Sequence, residues 1–172
     1  MSTLQYSFGS REDLIIAALE EAAEADLERA RRAAAVASGA VAQLRALVCE
    51  SVIADSDETT REQWLVWVEY WRAAARDSEL RSGSAAVYAR WRTLVGGILA
   101  DGLAAGDFRS DLDTDQAAIQ VLALLDGVGV PVVLEHPGMT STRAAAVVLD
   151  ALAAILGCEA LRSERSRRSE AG

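Results

Sequence analysis

The sequence predicts an all-α fold in which about six helices pack as an antiparallel bundle, and two observations support this. Hydrophobic residues make up 51% of the 172 residues but aromatic residues only 5%, so the core must consist mainly of Ala, Leu and Val. Ala and Leu are strong helix formers, whereas Gly and Pro interrupt helices. The two prolines, Pro131 and Pro137, lie close together, which leaves long helices free to form elsewhere.

The first two predicted helices span residues 11–37 and 41–54. Ser10 is a favoured N-cap for the first helix, and Ser38-Gly39 is a typical helix end. In the second helix, apolar residues recur at helical spacing on one face. This stripe consists of Val41, Leu44, Val48 and Val52.

The third and fourth predicted helices carry most of the aromatic residues. The third follows a polar connection over residues 55–60, with Thr59 or Thr60 as its N-cap. Its Trp64, Trp67, Val68 and Trp71 stand at i, i+3, i+4 and i+7, which places three tryptophans on one face. The fourth spans residues 78–105 and stops at Gly106. Its stripe consists of Val87, Trp91, Leu94 or Val95, and Ile98.

The last two predicted helices form the C-terminal part of the bundle. The fifth runs from about Thr114 towards Val130, where Pro131 should kink or end it. The sixth spans residues 141–156 and closes at Gly157. We therefore expect one helical domain over residues 10–157, followed by a disordered Arg/Ser tail over residues 158–172.

Charge and composition limit the classes of partner. The net charge is −9, and the tail contributes four Arg against three Glu, so the rest of the chain carries −10 and should repel nucleic acid. Cys49 and Cys158 show no metal or redox spacing, and His136 is the single histidine, so we expect no metal, cofactor or catalytic site. The most apolar stretch, residues 121–134, is too short to span a bilayer. The sequence therefore predicts a soluble cytoplasmic protein without a membrane partner.

Two groups of motifs resemble a known family. The segment from Leu4 to Leu14 reads LQYSFGSREDL and resembles the end of a TetR-family DNA-binding domain, with Ser7 where the family usually has His. Further motifs recur in the order seen in the ligand-binding domain of the choline-regulator-like branch of that family. They are Trp71, RDSELR at 76–81, YARWR at 88–92, GDFR at 106–109 and LDG at 125–127.

The resemblance implies specific roles at the N-terminus. Residues 1–9 would be the remnant of a helix-turn-helix domain, in which Thr3, Gln5 and Tyr6 would contact DNA. A helix-turn-helix needs its first helix to support the recognition helix, which residues 1–9 cannot supply. We therefore expect operator binding only in a full-length form that contains the whole domain.

The tryptophan face has two interpretations. In one, it is simply part of the core, which needs large side chains for packing. In the other, Trp67 and Trp71 line an effector pocket with Tyr88 and Trp91 opposite, while Trp64 is structural. Glu69, with Glu62, would then provide negative charge for a cationic small-molecule effector.

The apolar faces of the last two helices are too broad for a simple surface helix. They predict a homodimer in which helices of two chains form a C2 four-helix contact, as the resemblance implies; packing within one chain is the alternative. The predicted interface residues are Leu122, Leu125, Val128, Val148, Leu152 and Ile155.

These features together favour a one-component transcriptional regulator of which this chain is the sensing part. Effector binding would shift the helix that begins at Arg11 and so change the distance between two DNA-binding heads. The alternative is a stand-alone dimeric ligand-binding or interaction module without DNA affinity. An enzyme is least favoured, because no acid/base or nucleophile constellation is visible in the sequence.

Overall fold

The fold consists of helices throughout the part of the chain that is described. A computed structural model describes residues 11–53 and 57–163, and within these ranges six α-helices and one 3₁₀ turn occur without any strand. The all-α prediction is therefore confirmed. The helices are α1 (Arg11–Ala35), α2 (Ala40–Val52), α3 (Asp57–Ala74), α4 (Ser78–Ala105), α5 (Thr114–Val133) and α6 (Ser141–Leu156), and the 3₁₀ turn is Glu159–Leu161.

Local capping chemistry sets the bounds of the last three helices. The side chains of Asp77, Asp113 and Thr140 each accept hydrogen bonds from backbone N–H groups of the first turn, at 2.8–3.2 Å. Gly106 and Gly157 end α4 and α6 in the left-handed conformation, with φ of 78° and 65°. The starts of these three helices and the ends of α4 and α6 agree with those predicted from the sequence.

Two helix bounds differ from the prediction by three residues or more, and the ends of α1 and α2 differ by one or two. α3 begins at Asp57, so Thr60 is not an N-cap but a buried residue of the first turns. α5 continues past Pro131 to Val133. Proline cannot donate to the carbonyl one turn earlier, which belongs to Gly127, but Gly127 is exposed and its carbonyl can bond to water instead. The hydrogen bond from Leu134 N to Val130 O, at 3.0 Å, then closes the last turn.

The interior contains two hydrophobic clusters. The larger joins α2, α5 and α6 with the C-terminal half of α4. The smaller joins α1, α3 and the start of α4 around Tyr70, whose side chain is fully buried. Trp91 packs against both clusters. The boundary between them therefore lies beside Trp91, where the candidate site is found.

The segment after α6 is more ordered at its start than the sequence suggested. Cys158 and Leu161 are buried, although the disordered tail was expected to begin at residue 158. Arg45 of α2 donates to the carbonyl of Ala160 at 2.7 Å, and Ser163 N donates to the Asp150 carboxylate at 2.8 Å. Residues 158–163 thus belong to the packed domain. The predictions for residues 1–9, for Ser10 and for residues 164–172 lie outside the described residues.

Helix α5 is unusually apolar. Among the described residues it is the one helix that is long and apolar enough to cross a bilayer, with a mean hydropathy of 1.6 in its most apolar window. Half of that window is buried inside the bundle, and the central helix of a water-soluble bundle has this same character. Its composition therefore reflects its central position in the fold.

Candidate ligand-binding site

A cavity of about 80 Å³ lies where α1–α5 meet. α3 and α4 contribute its aromatic residues, whereas α1, α2 and α5 contribute its charged groups and two leucines. The aromatic residues are Trp64, Trp67, Trp71, Tyr88 and Trp91, and the other residues are Asp26, Arg29, Ala30, Glu50, Ser51, Gln63, Ser84, Leu122, Leu125 and Asp126.

The aromatic wall follows from the helical spacing of α3. The ring centroids of Trp67 and Trp71 lie 5.9 Å apart with a 39° tilt, and those of Trp64 and Trp71 lie 6.4 Å apart with a 55° tilt. Such tilted pairs are favourable contacts between aromatic rings. Tyr88 and Trp91 reach the same cavity from α4. The structure thus brings four of the five residues proposed for ligand binding together, and Trp64, which was expected to be only structural, joins them.

Trp64 contacts the backbone of α5 directly. A Cβ atom added at Gly129 would lie 2.2 Å from Cε3 of the Trp64 ring, far inside van der Waals contact. The glycine therefore allows the indole, which is only 6% exposed, to pack against α5. Helical spacing places three tryptophans on one face of α3, but the sequence does not say which of the three rings packs against a glycine of α5.

On the α1 side of the cavity, charged side chains form a series of hydrogen bonds and ion pairs. Asp26 accepts a hydrogen bond from Trp67 Nε1 at 2.7 Å and forms an ion pair with Arg29. Arg29 Nε also lies 3.7 Å from a carboxylate oxygen of Glu50 on α2. The Trp67 ring is thereby fixed to α1, and both carboxylates have a cationic partner.

The α5 side presents a different carboxylate. Asp126 is partly buried, and within residues 11–53 and 57–163 it has no hydrogen bond or ion pair. Burial raises its pKa to about 6, because a charge is poorly solvated there. The pKa of Tyr88 is also raised, first by burial and then by the negative charge of Asp126. With Asp26, Glu50 and Arg29, the cavity carries three carboxylates and one guanidinium.

Sequence reasoning quoted Asp126 only as part of the LDG motif and did not assign it to the site. One signal was available, because Asp126 is the single charged residue in the most apolar stretch of the chain, residues 121–134. Ionisable groups in such places are kept there only against a cost in free energy. Asp26 gave no comparable signal, since it stands among other charged residues. Glu50 is the one charged residue between Arg45 and Asp55, but sequence reasoning did not assign it to the site.

Glu69 does not lie at the cavity. It is exposed on the outer side of α3 and forms an ion pair with Arg72 at 2.7 Å. A position two residues after Trp67 is rotated about 200° around the helix, so the two side chains point in nearly opposite directions. Glu62, the other acid considered, is also exposed and outside the lining.

The residues predicted for a dimer contact are mostly buried within the single chain. Leu122 and Leu125 line the cavity, and Ile155 is half-buried against the larger cluster. Val128, Val148 and Leu152 lie in that cluster. The large apolar residues that α5 and α6 and their ends expose are Ile119, Val130, Leu134 and Val147. The DNA-contact predictions for Thr3, Gln5 and Tyr6 fall outside the described residues.

A second hollow, of about 510 Å³, lies at the loop between α5 and α6 and includes His136. Its cation, Arg61, pairs with Glu135 at 3.0 Å and donates to the carbonyl of Val133 at 3.2 Å. Among the described residues, no three His, Cys, Asp or Glu side chains come close enough to hold a metal ion. The Trp-lined cavity is therefore the better candidate for a ligand site.

Comparisons with known proteins agree with this architecture. Residues 40–157 match the family described as "BetI-type transcriptional repressor, C-terminal". A transcriptional regulator from Saccharomonospora viridis, solved in complex with choline, is 25% identical and superposes with a TM-score of 0.77 over 86% of this chain and 76% of its own. No curated protein sequence matches the chain.

Two further solved structures share the fold. A TetR-family transcriptional regulator from Rhodococcus sp. is 22% identical, with a TM-score of 0.74 over 89% of this chain and 79% of its own. A transcriptional regulator from Pseudomonas aeruginosa PAO1 is also 22% identical, with a TM-score of 0.76 over 92% and 74% of the two chains. At this identity the likeness concerns the fold alone.

Proposed function

This chain belongs to the TetR family of transcriptional regulators through its BetI-type C-terminal domain, and we propose that it binds a small-molecule effector and dimerises as the regulatory part of such a protein. The observation that carries the proposal is the cavity lined by Trp67, Trp71, Tyr88 and Trp91, with carboxylates in excess over cations. The cavity is a binding site in this proposal, and no reaction is assigned to it.

The lining favours a small organic cation as effector. Indole faces attract cations through their quadrupole, and the attraction grows when water is excluded. One water needs roughly 10–15 Å³ by the same measure, so about 80 Å³ suits a ligand of roughly five to eight heavy atoms. The regulator from Saccharomonospora viridis was crystallised with choline, which is a cation of this size. Choline is therefore the first effector to test.

The contacts of Trp67 offer a route from the cavity to α1. Trp67 is bonded to Asp26, so an effector that moves the indole also acts on the helix that follows the N-terminal segment. An effector can shift α1 only by binding one arrangement of α1 and α3 more tightly than another. In a dimer, such a shift would change the separation of two DNA-binding heads. The proposal assigns operator binding to a protein with a complete helix-turn-helix, acting in the cytoplasm.

The exposed apolar residues of α5 and α6 support a homodimer. Ile119, Val130 and Val147 are 38–44% exposed, and Leu134 at the end of α5 is 61% exposed. A C2 contact would bury these residues against their own copies. Val147→Lys should shift the chain from dimer to monomer in sedimentation equilibrium. The matched control is Val36→Lys, because Val36 is exposed on the turn after α1. A monomeric parent chain, or equal dissociation in both variants, would contradict the dimer.

Calorimetric titration tests effector binding. We expect choline to bind with saturation, and its neutral isostere 3,3-dimethylbutan-1-ol to bind at least tenfold more weakly, because it lacks the charge that attracts indole faces and carboxylates. Trp67→Ala should abolish choline binding, whereas Glu69→Gln, outside the cavity, should leave it unchanged. Absence of saturable binding across a panel of small organic cations would overturn the proposal, as would unchanged binding in the Trp67 variant.

A further inference from the structure

Asp126 is the charged group of the cavity that lacks a partner. Its carboxylate lines the cavity from the middle of α5, next to Leu122 and Leu125, and it has no hydrogen bond or ion pair within the described ranges. We propose that Asp126 is the counter-ion of the cationic effector, and that effector and proton compete for this carboxylate. This inference rests on the proposed function and adds that pH controls effector binding at the same cavity.

The other charged groups around Asp126 are already paired. On the α1 and α2 sides, Arg29 lies between Asp26 and Glu50. On α4, the negative charge of Asp126 raises the pKa of Tyr88. Arg92, also on α4, forms an ion pair with Asp115 at 2.9 Å near the start of α5. Within residues 11–53 and 57–163, no cation forms an ion pair with Asp126. A buried charge without a partner is costly, and either a proton or a bound cation removes that cost.

Competition follows because both ligands act on the same carboxylate. The empty site takes up a proton readily, and burial raises the pKa of Asp126 to about 6. A bound cation favours the ionised form and lowers this pKa, so binding near pH 6 releases about half a proton for each cation bound. At pH 5 about one empty site in eleven carries the charge. The Kd of a cation should therefore be about tenfold higher at pH 5 than at pH 7.5.

The choice of effector follows from the same carboxylate. A cation gains the attraction of Asp126, whereas a neutral molecule of the same shape gains nothing from it and leaves the charge unpaired. Asp126 thus determines the preference for charge, while the tryptophan rings determine shape and contact area. Removing the charge should reduce discrimination between a cation and its neutral isostere without closing the cavity.

The test is a calorimetric titration of the intact chain with choline and with 3,3-dimethylbutan-1-ol between pH 5 and pH 8. Asp126→Asn should lose at least a factor of ten in the ratio of the two affinities, should bind the neutral probe as well as the parent chain does, and should show no pH dependence with a midpoint near 6. Glu69→Gln is the matched control, because it removes a carboxylate from the same bundle outside the cavity.

A second measurement needs no substitution. Titration of the parent chain with choline at pH 6, in two buffers of different ionisation enthalpy, should show release of about half a proton for each choline bound. Choline binding without proton release, or with unchanged preference in Asp126→Asn, would overturn this inference and leave the proposed function standing. Failure of choline and of other small cations to bind the parent chain at any pH would overturn both.

Discussion

Replacing Asp126 with Asn should stabilise the empty protein at neutral pH more than at acidic pH. The model value for an Asp pKa is 3.8, and burial raises that of Asp126 to about 6 in the folded state. The folded state therefore holds the proton more tightly than the unfolded state. The stability that this provides is fully present below pH about 4 and is lost as the pH rises through about 6.

The size of the effect follows from the shift. About two pH units at about 1.4 kcal/mol each set an upper value of about 3 kcal/mol for the cost of ionised Asp126 at pH 7.5. The carboxylate is only partly buried, so solvent screening reduces this cost to about 1–2 kcal/mol. At pH 4.5 the unfolded chain is already mostly ionised at this position, so part of the cost is present there as well. Because the Asn side chain carries no charge, the difference in unfolding free energy between variant and parent should be larger at pH 7.5 than at pH 4.5 by about 1 kcal/mol.

Urea unfolding followed by far-UV circular dichroism measures the difference. Parent and variant are compared at pH 4.5 and pH 7.5, without effector and at one protein concentration, because dimerisation makes stability depend on concentration. The effect of exchanging carboxylate for amide in packing is common to both pH values and cancels. The reasoning is refuted if the free-energy difference between variant and parent is the same at pH 4.5 and pH 7.5.

Two further substitutions test the packing around the site and the extent of the domain. Gly129→Ala should displace the Trp64 ring, cost about 1–3 kcal/mol in urea unfolding and weaken choline binding, because the new Cβ would lie 2.2 Å from the ring. Its control is Gly97→Ala, which meets nothing within 4 Å inside α4 and should stabilise the helix by about 0.5–1 kcal/mol; equal effects at both positions would contradict the clash. Leu161→Ala should cost about 2–5 kcal/mol, because Leu161 is fully buried; a cost near zero would show that residues 158–163 do not contribute to the packed domain.

Helix bounds were predictable where local chemistry decides them. Asp77, Gly106 and Gly157 cap helices through contacts with their own neighbours in sequence, so the sequence alone identifies them. The start of α3 was different. Thr60 is a good N-cap by residue type, but its side chain is buried within α3. Whether a residue caps a helix or packs inside it depends on helices that are distant in sequence.

The same distinction explains the outcome for the site. The tryptophans of α3 share a face because of helical spacing, which can be read directly from the sequence. Asp26 and Asp126 belong to α1 and α5, and only the packing of the bundle places them beside Trp67 and Tyr88. Sequence reasoning placed the negative charge of the site on Glu69, which is on the same helix as Trp67, whereas the carboxylates that line the cavity lie on other helices.

The sequence showed that α5 and α6 have broad apolar faces, but it did not show which apolar residues face the core of the chain and which are exposed. Val148 and Leu152, which were predicted for the dimer contact, pack inside the chain and are fully buried. Val130 and Val147, which were not among the residues predicted for that contact, are exposed. Periodicity identifies two faces on such helices, but it does not distinguish the face towards the chain's own core from the face available to a second copy.

The tryptophans of the cavity also provide an intrinsic fluorescence signal for ligand binding. The chain contains four tryptophans, and all four line the cavity. Intrinsic emission excited at 295 nm therefore originates at the cavity and nowhere else in the chain. The ring centroids of neighbouring tryptophans on α3 lie 5.9–6.4 Å apart, which is close enough for energy transfer between them. The emission therefore reports on these three rings together. We therefore expect a molecule that enters the cavity to change the tryptophan emission, so that its binding can be followed without a label.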